Sequence, residues 1–182
     1  MIEPIHIKDK YFEKYISESE IYSLLVEMAS KIKSDYQSKD IVYLVVLKGA
    51  FIFASDIIRE IGIESEVFFI NASSYKSGLI SSGNVELQIG PINVERRDIL
   101  IIEDIVDSGR TMSALIKDLE KYKPNSVEIA TFFSKPEERV ADIRVKYIGI
   151  EIPSKFVIGY GLDYAEQGRY LKDIYVLTNH SI

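Results

Sequence analysis

Two runs of apolar residues without polar alternation constrain the fold of this chain more than any other feature. The first is Ile41–Leu47 and the second covers residues 99–102, and both are rich in β-branched residues. Strands of this kind are covered on both faces, as in the parallel sheets of α/β proteins. Each run is followed by apolar residues at helical spacing and then by another short apolar run, at 67–70 and 127–130. The sequence therefore predicts two strand-helix-strand units.

Helix boundaries in the sequence support the same organisation. Ser17 and Glu20 have the spacing of a capping box before a helix with apolar positions between residues 21 and 32. A second helical stripe stops at Gly62, and a third ends at Lys123-Pro124. Short strands are predicted at 147–150, 156–158 and 174–177. We expect a twisted, mainly parallel α/β sheet flanked by helices, with ligands at the carboxyl ends of its strands.

Composition excludes several classes of protein. The 182 residues include 28 acidic and 22 basic side chains, which gives a formal net charge of −6, and there is no cysteine. A thiol nucleophile, a zinc-thiolate site and an iron-sulfur cluster are thereby excluded. The negative charge argues against a general nucleic-acid binder, and no apolar run approaches the ~18 residues of a membrane span. We expect one soluble cytoplasmic domain.

The stretch that follows the second buried strand contains the main candidate functional residues. Glu103, Asp104 and Asp107 come first, and Ser108 and Gly109 lead into the third helix. Backbone N–H groups, hydroxyls and a helix N-terminus together form a cradle for an anion such as a phosphate monoester. The adjacent carboxylates Glu103 and Asp104, which leave a strand in opposite directions, suit sugar hydroxyls or water on a divalent cation. The alternative is that Asp107 or Ser108 only caps the helix.

Residues 101–112 resemble the ribose-phosphate signature of the type I phosphoribosyltransferases. Four further segments resemble that family in the same order along the chain, over about residues 47–177, and are most similar to its hypoxanthine phosphoribosyltransferase branch. They are Leu47-Lys48-Gly49-Ala50 for the pyrophosphate loop, Ser74-Tyr75 for the lid, Lys135 for the base contact, and residues 156–164 with Arg169 for the purine and a second metal.

The resemblance implies an architecture and an activity. It implies a single domain over residues 1–182, with a core at about 36–150, a small hood from about 1–20 and 151–182, and a flexible lid. The implied reaction is Mg²⁺-dependent transfer of the phosphoribosyl group of 5-phosphoribosyl 1-pyrophosphate to a 6-oxopurine, either hypoxanthine or guanine, in purine salvage. It gives IMP or GMP and pyrophosphate. The implied partners are these small molecules and further copies of the chain in a dimer or tetramer, without nucleic acid or membrane.

Roles of individual residues also follow from the resemblance. Asp107 would be the catalytic base for N7 of the purine, and the pyrophosphate loop would contain an unusual cis peptide. Residues implied to bind the phosphoribosyl pyrophosphate are Lys48, Gly49, Glu103, Asp104, Asp107, Ser108, Gly109, Arg110, Thr111 and Arg169. Those implied to bind the purine are Lys135, Phe156, Val157 and Asp163, and those implied to hold magnesium are Glu103, Asp104 and Asp163.

Two other interpretations stay open on the sequence. A non-catalytic regulator could keep the same cradle as a sensor of phosphoribosyl pyrophosphate, because a fold alone does not define a function. A receiver-like domain phosphorylated on Asp104 or Asp107 would share the parallel sheet. Its acidic pair should follow the first strand, whereas the acids here follow a later one.

Overall fold

A computed structural model describes residues 4–73, 86–87 and 93–178 of the chain. The predicted lid residues Ser74 and Tyr75 lie outside these ranges. In chain order, the strands are β1 (Ile5–Ile7), β2 (Lys10–Ile16), β3 (Ile41–Leu47), β4 (Glu66–Ser73), β5 (Glu86–Leu87), β6 (Asp98–Val106), β7 (Ser126–Ser134), β8 (Tyr147–Glu151), β9 (Val157–Ile158) and β10 (Ile174–Leu177). The helices are α1 (Glu18–Tyr36), α2 (Phe51–Ile61) and α3 (Arg110–Glu120), and Pro136–Glu138 forms a 3₁₀ turn.

The larger of the two sheets has the strand order β5-β4-β3-β6-β7-β8. Its strands from β4 to β8 are all parallel, and the short β5 pairs antiparallel with β4. From β3 the chain crosses to β4 on one side, whereas from β6 it crosses to β7 on the other. The loops after β3 and β6 therefore diverge at a topological switch point, where parallel sheets bind their ligands.

Both faces of this sheet are covered, as the uninterrupted apolar runs predict. Tyr43 and Val45 belong to the buried cluster that contains α1 and α2, while Val42, Leu44 and Val46 belong to the cluster that contains α3. Successive residues of β3 thus enter opposite cores, which is why no position in this strand is polar. The predicted mainly parallel α/β sheet is confirmed.

The helix ends explain where the site loops begin. The capping box of α1 is present, with the Ser17 N–H donating to Glu20 over 2.8 Å, and α2 ends at Gly62 with φ of 62°. At the start of α3 the N-cap is Gly109, with φ of 76° and no side-chain cap. The alternative in which a side chain before the helix caps it holds in part, because Oγ of Ser108 accepts a long hydrogen bond of 3.5 Å from the N–H of Arg110, the first residue of α3. Asp107 and Ser108 both line the space above the helix.

The second sheet is antiparallel, has the order β1-β2-β10-β9, and forms the predicted hood. It combines the amino-terminal segment with the carboxy-terminal one, beside the larger sheet. Asp173 connects the hood to the core. Its carboxylate accepts a hydrogen bond of 2.8 Å from the Glu18 N–H and forms an ion pair of 2.6 Å with Lys14. No helix within the described ranges is long and apolar enough to cross a membrane.

Candidate active site at the switch point

A cavity of about 300 Å³ lies at the carboxyl ends of β3 and β6. Its walls come from the end of β3, the loop that follows it, and residues between positions 103 and 112. Seven of the predicted binding residues line it, namely Gly49, Glu103, Asp104, Asp107, Ser108, Gly109 and Thr111. Polar side chains from residues 103–111 and the loop at Gly49, which are distant in sequence, thus share one space at the switch point.

Two half-buried residues at the end of β6 carry carboxyl groups that line the cavity. Oε2 of Glu103 is buried and has no hydrogen-bond partner in the described part of the chain. Burial, and then the charge of neighbouring Asp104, raises the pKa of Glu103 well above its usual range. Burial also raises the pKa of Asp104, whose Oδ1 accepts a hydrogen bond of 2.9 Å from the Ile105 N–H. Although adjacent in a strand, both residues line the cavity, because the cavity lies over the strand end.

These two carboxyls fit a divalent cation. A hard cation such as Mg²⁺ takes carboxylate oxygen ligands, and it would supply the positive charge that the buried pair lacks. Asp163, also predicted as a magnesium ligand, lies elsewhere in an ion pair of 2.8 Å with Arg169. Among the residues that the structure describes, no three acidic or histidine side chains form a ready-made metal cluster.

The loop after β3 touches the carboxyl pair directly. The Leu47–Lys48 peptide bond is cis, as the family resemblance implies. A Cβ atom at position 49 would overlap the carboxylate of Asp104, and one at Gly161 would overlap the carbonyl oxygen of Gly49. Only glycine allows these approaches. Gly49 therefore lies directly against both Asp104 and Gly161. These contacts bring the carboxy-terminal loop to the cavity.

Arg139, which the sequence analysis did not identify, holds the loop between β6 and α3. Its Nε donates to the carbonyl oxygen of Asp107 over 3.0 Å, and its Nη2 donates to Oγ of Ser134 over 3.1 Å. The N–H groups of residues 140 and 141 both donate to the carbonyl of Ser108. A Cβ on Gly109 would lie 2.9 Å from the Arg139 side chain. The backbone of the predicted phosphate loop is thus fixed by the segment that follows β7.

Lys135 and Asp107 form an ion pair at the edge of the cavity. The Lys135 side chain is buried, and its Nζ lies 3.3 Å from Asp107 Oδ1 and 3.8 Å from Glu138 Oε1. Ser154 donates a hydrogen bond to the same Glu138 carboxylate. The predicted base-contacting lysine is therefore a buried, oriented donor beside the predicted catalytic base.

The predicted purine platform lies in the hood. Phe156 is 46% exposed, and its ring meets Tyr164 edge to face at a centroid distance of 5.9 Å. An aromatic ring held at its edge and open on a face can stack on a planar base. Val157 is buried and pairs with Val176 in the hood sheet.

The carboxy-terminal loop presents the remaining predicted residues. Arg169 donates to the Gly161 carbonyl over 2.8 Å, and this contact places its guanidinium next to the Gly49 loop. Lys48 is exposed and contacts Glu166 of the same loop. Arg110 is exposed at the first residue of α3, outside the lining of the cavity.

Comparison with known proteins agrees with this geometry. Residues 15–165 match the family model described as a phosphoribosyl transferase domain. A hypoxanthine-guanine phosphoribosyltransferase of Staphylococcus aureus strain Mu50 is 40% identical over 161 residues, which cover 87% of this chain and 89% of the relative. One from Staphylococcus epidermidis is 41% identical over 158 residues, covering 86% of this chain and 88% of the relative.

Solved structures show the same similarity in three dimensions. A crystal structure of a hypoxanthine phosphoribosyltransferase from Staphylococcus aureus superimposes with a TM-score of 0.86 at 40% identity, covering 91% of each chain. A hypoxanthine-guanine phosphoribosyltransferase from Bacillus anthracis superimposes with a TM-score of 0.84 at 35% identity, covering 91% of this chain and 96% of the other.

Proposed function

This chain belongs to the phosphoribosyltransferase family, and we propose that it acts in purine salvage by transferring a phosphoribosyl group to a 6-oxopurine. The donor is 5-phosphoribosyl 1-pyrophosphate, the acceptor is hypoxanthine or guanine, and the products are IMP or GMP and pyrophosphate. One observation supports this most strongly. The half-buried pair Glu103 and Asp104 lines a single cavity together with Asp107 and the start of α3, and the loop at Gly49 closes the side of this cavity.

The residues at the start of α3 suit the 5′-phosphate of the donor. Ser108 and Thr111 provide hydroxyl groups, and the positive end of the helix dipole favours a bound anion there. Arg139 keeps the loop backbone in place, so this cradle exists before the ligand arrives. Such preorganisation lowers the cost of ordering the loop on binding.

Glu103 and Asp104 would hold Mg²⁺ and the ribose hydroxyls, and Asp163 would hold a second Mg²⁺. When bound, Mg²⁺ neutralises charge on the pyrophosphate leaving group. A ring nitrogen of the purine forms a bond to C1 as the bond between C1 and the pyrophosphate oxygen breaks. During this step positive charge develops on the ribose and negative charge on the leaving group. The carboxylates near the sugar and the Arg169 guanidinium each stabilise one of these charges.

In this proposal Asp107 and Lys135 both contact one edge of the purine. In a 6-oxopurine, N7 and the 6-oxygen lie next to each other on that edge. The Asp107 carboxylate takes the proton from N7, and the Lys135 ammonium, 3.3 Å away, donates to the 6-oxygen. An ammonium has only donors, so it makes no favourable contact with the amino group that adenine carries at this position. Adenine is therefore a poor substrate.

A substrate panel tests this function. The protein is mixed with MgCl₂, phosphoribosyl pyrophosphate and each of hypoxanthine, guanine, xanthine and adenine, and nucleotide formation is followed by chromatography. We expect nucleotide from hypoxanthine or guanine and at least about 100-fold less from adenine, because a buried donor without a partner discriminates strongly. Product from adenine at a similar rate would contradict the role of Lys135. Product from no base would favour the non-catalytic sensor.

The assembly and the location of the protein remain proposals from the family resemblance. We propose a homo-oligomer, either a dimer or a tetramer, in the cytoplasm. Light scattering coupled to size-exclusion chromatography separates these assemblies from a 20.8 kDa monomer.

A further inference from the structure

One carboxylate contacts the side chains of both Lys48, whose loop backbone is expected to bind pyrophosphate, and Arg169, whose guanidinium is expected to bind it. Oε1 of Glu166 lies 3.3 Å from Nζ of Lys48, and Oε2 lies 3.2 Å from Nη2 of Arg169. Lys48 belongs to the loop after β3, and Arg169 to the carboxy-terminal loop. The two loops are thus joined through a side chain that neither the sequence motifs nor the proposed reaction explains.

The backbone that carries this carboxylate adopts an unusual conformation. Ala165 and Glu166 both have left-handed φ angles, of 49° and 65°, in a tight hairpin closed by hydrogen bonds between Tyr164 and Gln167. Such turns favour asparagine and glycine, and left-handed residues with a longer side chain are strained. Asp163 accepts a hydrogen bond of 2.7 Å from the Glu166 N–H and helps to hold the turn. Strain of this kind concentrates at functional sites.

A carboxylate and a phosphate group compete for the same donors. Lysine and arginine form charge-assisted hydrogen bonds to either group. In Arg169, Nη1 already donates to the Gly161 carbonyl, which leaves Nη2 for an anion. The Glu166 carboxylate directs one oxygen to each of the two cations, Oε1 to Lys48 and Oε2 to Arg169. A pyrophosphate that binds the side chains of Lys48 and Arg169 therefore has to displace the Glu166 carboxylate, and at Arg169 it also competes with Asp163, whose Oδ1 lies 2.8 Å from the same Nη2.

We propose that Glu166 is a placeholder for pyrophosphate. In the ligand-free protein its carboxylate takes the position between Lys48 and Arg169 that a phosphate group occupies in the complex. This inference rests on the proposed function. Because the Glu166 carboxylate replaces pyrophosphate after each turnover, the side chains of Lys48 and Arg169 stay close together. Competition from Glu166 also weakens the binding of pyrophosphate and helps this product to dissociate.

Two substitutions at position 166 test the proposal by calorimetric titration with pyrophosphate in MgCl₂. Glu166→Gln removes the charge and keeps the shape, whereas Glu166→Asn is too short to reach both cations and suits a left-handed backbone. Each exposed ion pair contributes little, so we expect pyrophosphate to bind about 2- to 10-fold more tightly to both variants. Glu27→Gln, which breaks an exposed ion pair with Lys31 on α1, should leave the affinity unchanged.

The possible outcomes separate this inference from the function on which it rests. If the wild-type protein binds pyrophosphate and both variants bind it equally or more weakly, Glu166 only supports the loop and the proposal is wrong. A wild-type protein that does not bind pyrophosphate would contradict the proposed function and the placeholder together. A lower KM for phosphoribosyl pyrophosphate in Glu166→Gln is a second expected result, since the donor carries the same group.

Discussion

At the scale of single residues, the proposed reaction depends most on the ion pair between Asp107 and Lys135. Asp107 comes from the loop after β6, and Lys135 comes directly after β7. Parallel pairing of these strands places Val106 beside Ser134, so the two side chains emerge together. In the proposed mechanism, a proton acceptor and a hydrogen-bond donor would thus face the purine from the ends of adjacent strands of one sheet.

Replacement of the proposed base gives the first prediction at this scale. Asp107→Asn keeps the size of the side chain but removes its ability to take a proton from N7. General-base assistance contributes about 10²- to 10⁴-fold, so kcat should fall by that factor with a smaller change in KM. Steady-state kinetics with hypoxanthine measure both values.

The matched control for this variant is Asp118→Asn. Asp118 lies on α3, where it pairs with the exposed Lys121. Its substitution should leave kcat unchanged. Wild-type turnover in Asp107→Asn would remove Asp107 from the mechanism.

Sequence reasoning found some residues of the site and missed others for physical reasons. Glu103, Asp104 and Asp107 were predictable because a buried strand that ends in carboxylates carries its own signal in consecutive residues. Arg139 gives no such signal, since its partners are backbone carbonyls about 30 residues earlier that only strand pairing brings near. Glu166 was missed because an exposed glutamate in a loop resembles many surface charges.

At the scale of the elements, the hood and the core are connected through the start of α1. Asp173, just before β10, accepts the N–H of Glu18 in the first turn of that helix and pairs with Lys14 of β2. A carboxylate at a helix N-terminus also interacts favourably with the helix dipole. The Asp173 side chain therefore links the start of β10, β2 and the first turn of α1, and so connects the hood to the core.

Stability against pH tests this connection. Burial alone would raise the pKa of Asp173, but the hydrogen bonds from Lys14 and Glu18 lower this pKa below the ordinary value of an aspartate. A carboxyl whose pKa is lowered by folding stabilises the protein above its unfolded pKa, and the contribution is lost as the pH falls through the folded value. Asp173→Asn should reduce the free energy of unfolding by about 1 kcal/mol at pH 7, a difference that shrinks below about pH 4.

Urea denaturation of both proteins between pH 7 and pH 3 measures this difference. Glu27→Gln breaks only the exposed ion pair between Glu27 and Lys31 on α1, so it should change the free energy of unfolding by much less. A loss in Asp173→Asn that is constant with pH would show that the charge of Asp173 contributes nothing.

The elements themselves were largely predictable. The apolar run of β3, the capping box of α1 and the glycine after α2 are local signals, and the structure confirms each of them. β1 and β2 were not predicted, because β2 does not alternate regularly between apolar and polar residues. Its burial depends on contact with β10, which lies about 160 residues later in the chain.

At the scale of the whole molecule, the parallel sheet and the hood each contribute a part of the proposed binding site. The sheet contributes the cradle at the start of α3, and the hood contributes the exposed face of Phe156. Gly49 and Gly161 bring the loops of the two parts into contact. A ligand that carries a phosphate at one end and a purine at the other would span both parts.

A crystal structure of the protein with IMP tests this arrangement most directly. We predict that the 5′-phosphate lies within hydrogen-bond distance of Ser108, Gly109 and Thr111, and that the purine stacks on Phe156 with its 6-oxygen next to Lys135. A nucleotide bound elsewhere, or a cradle that stays closed to the phosphate at saturating IMP, would contradict the account.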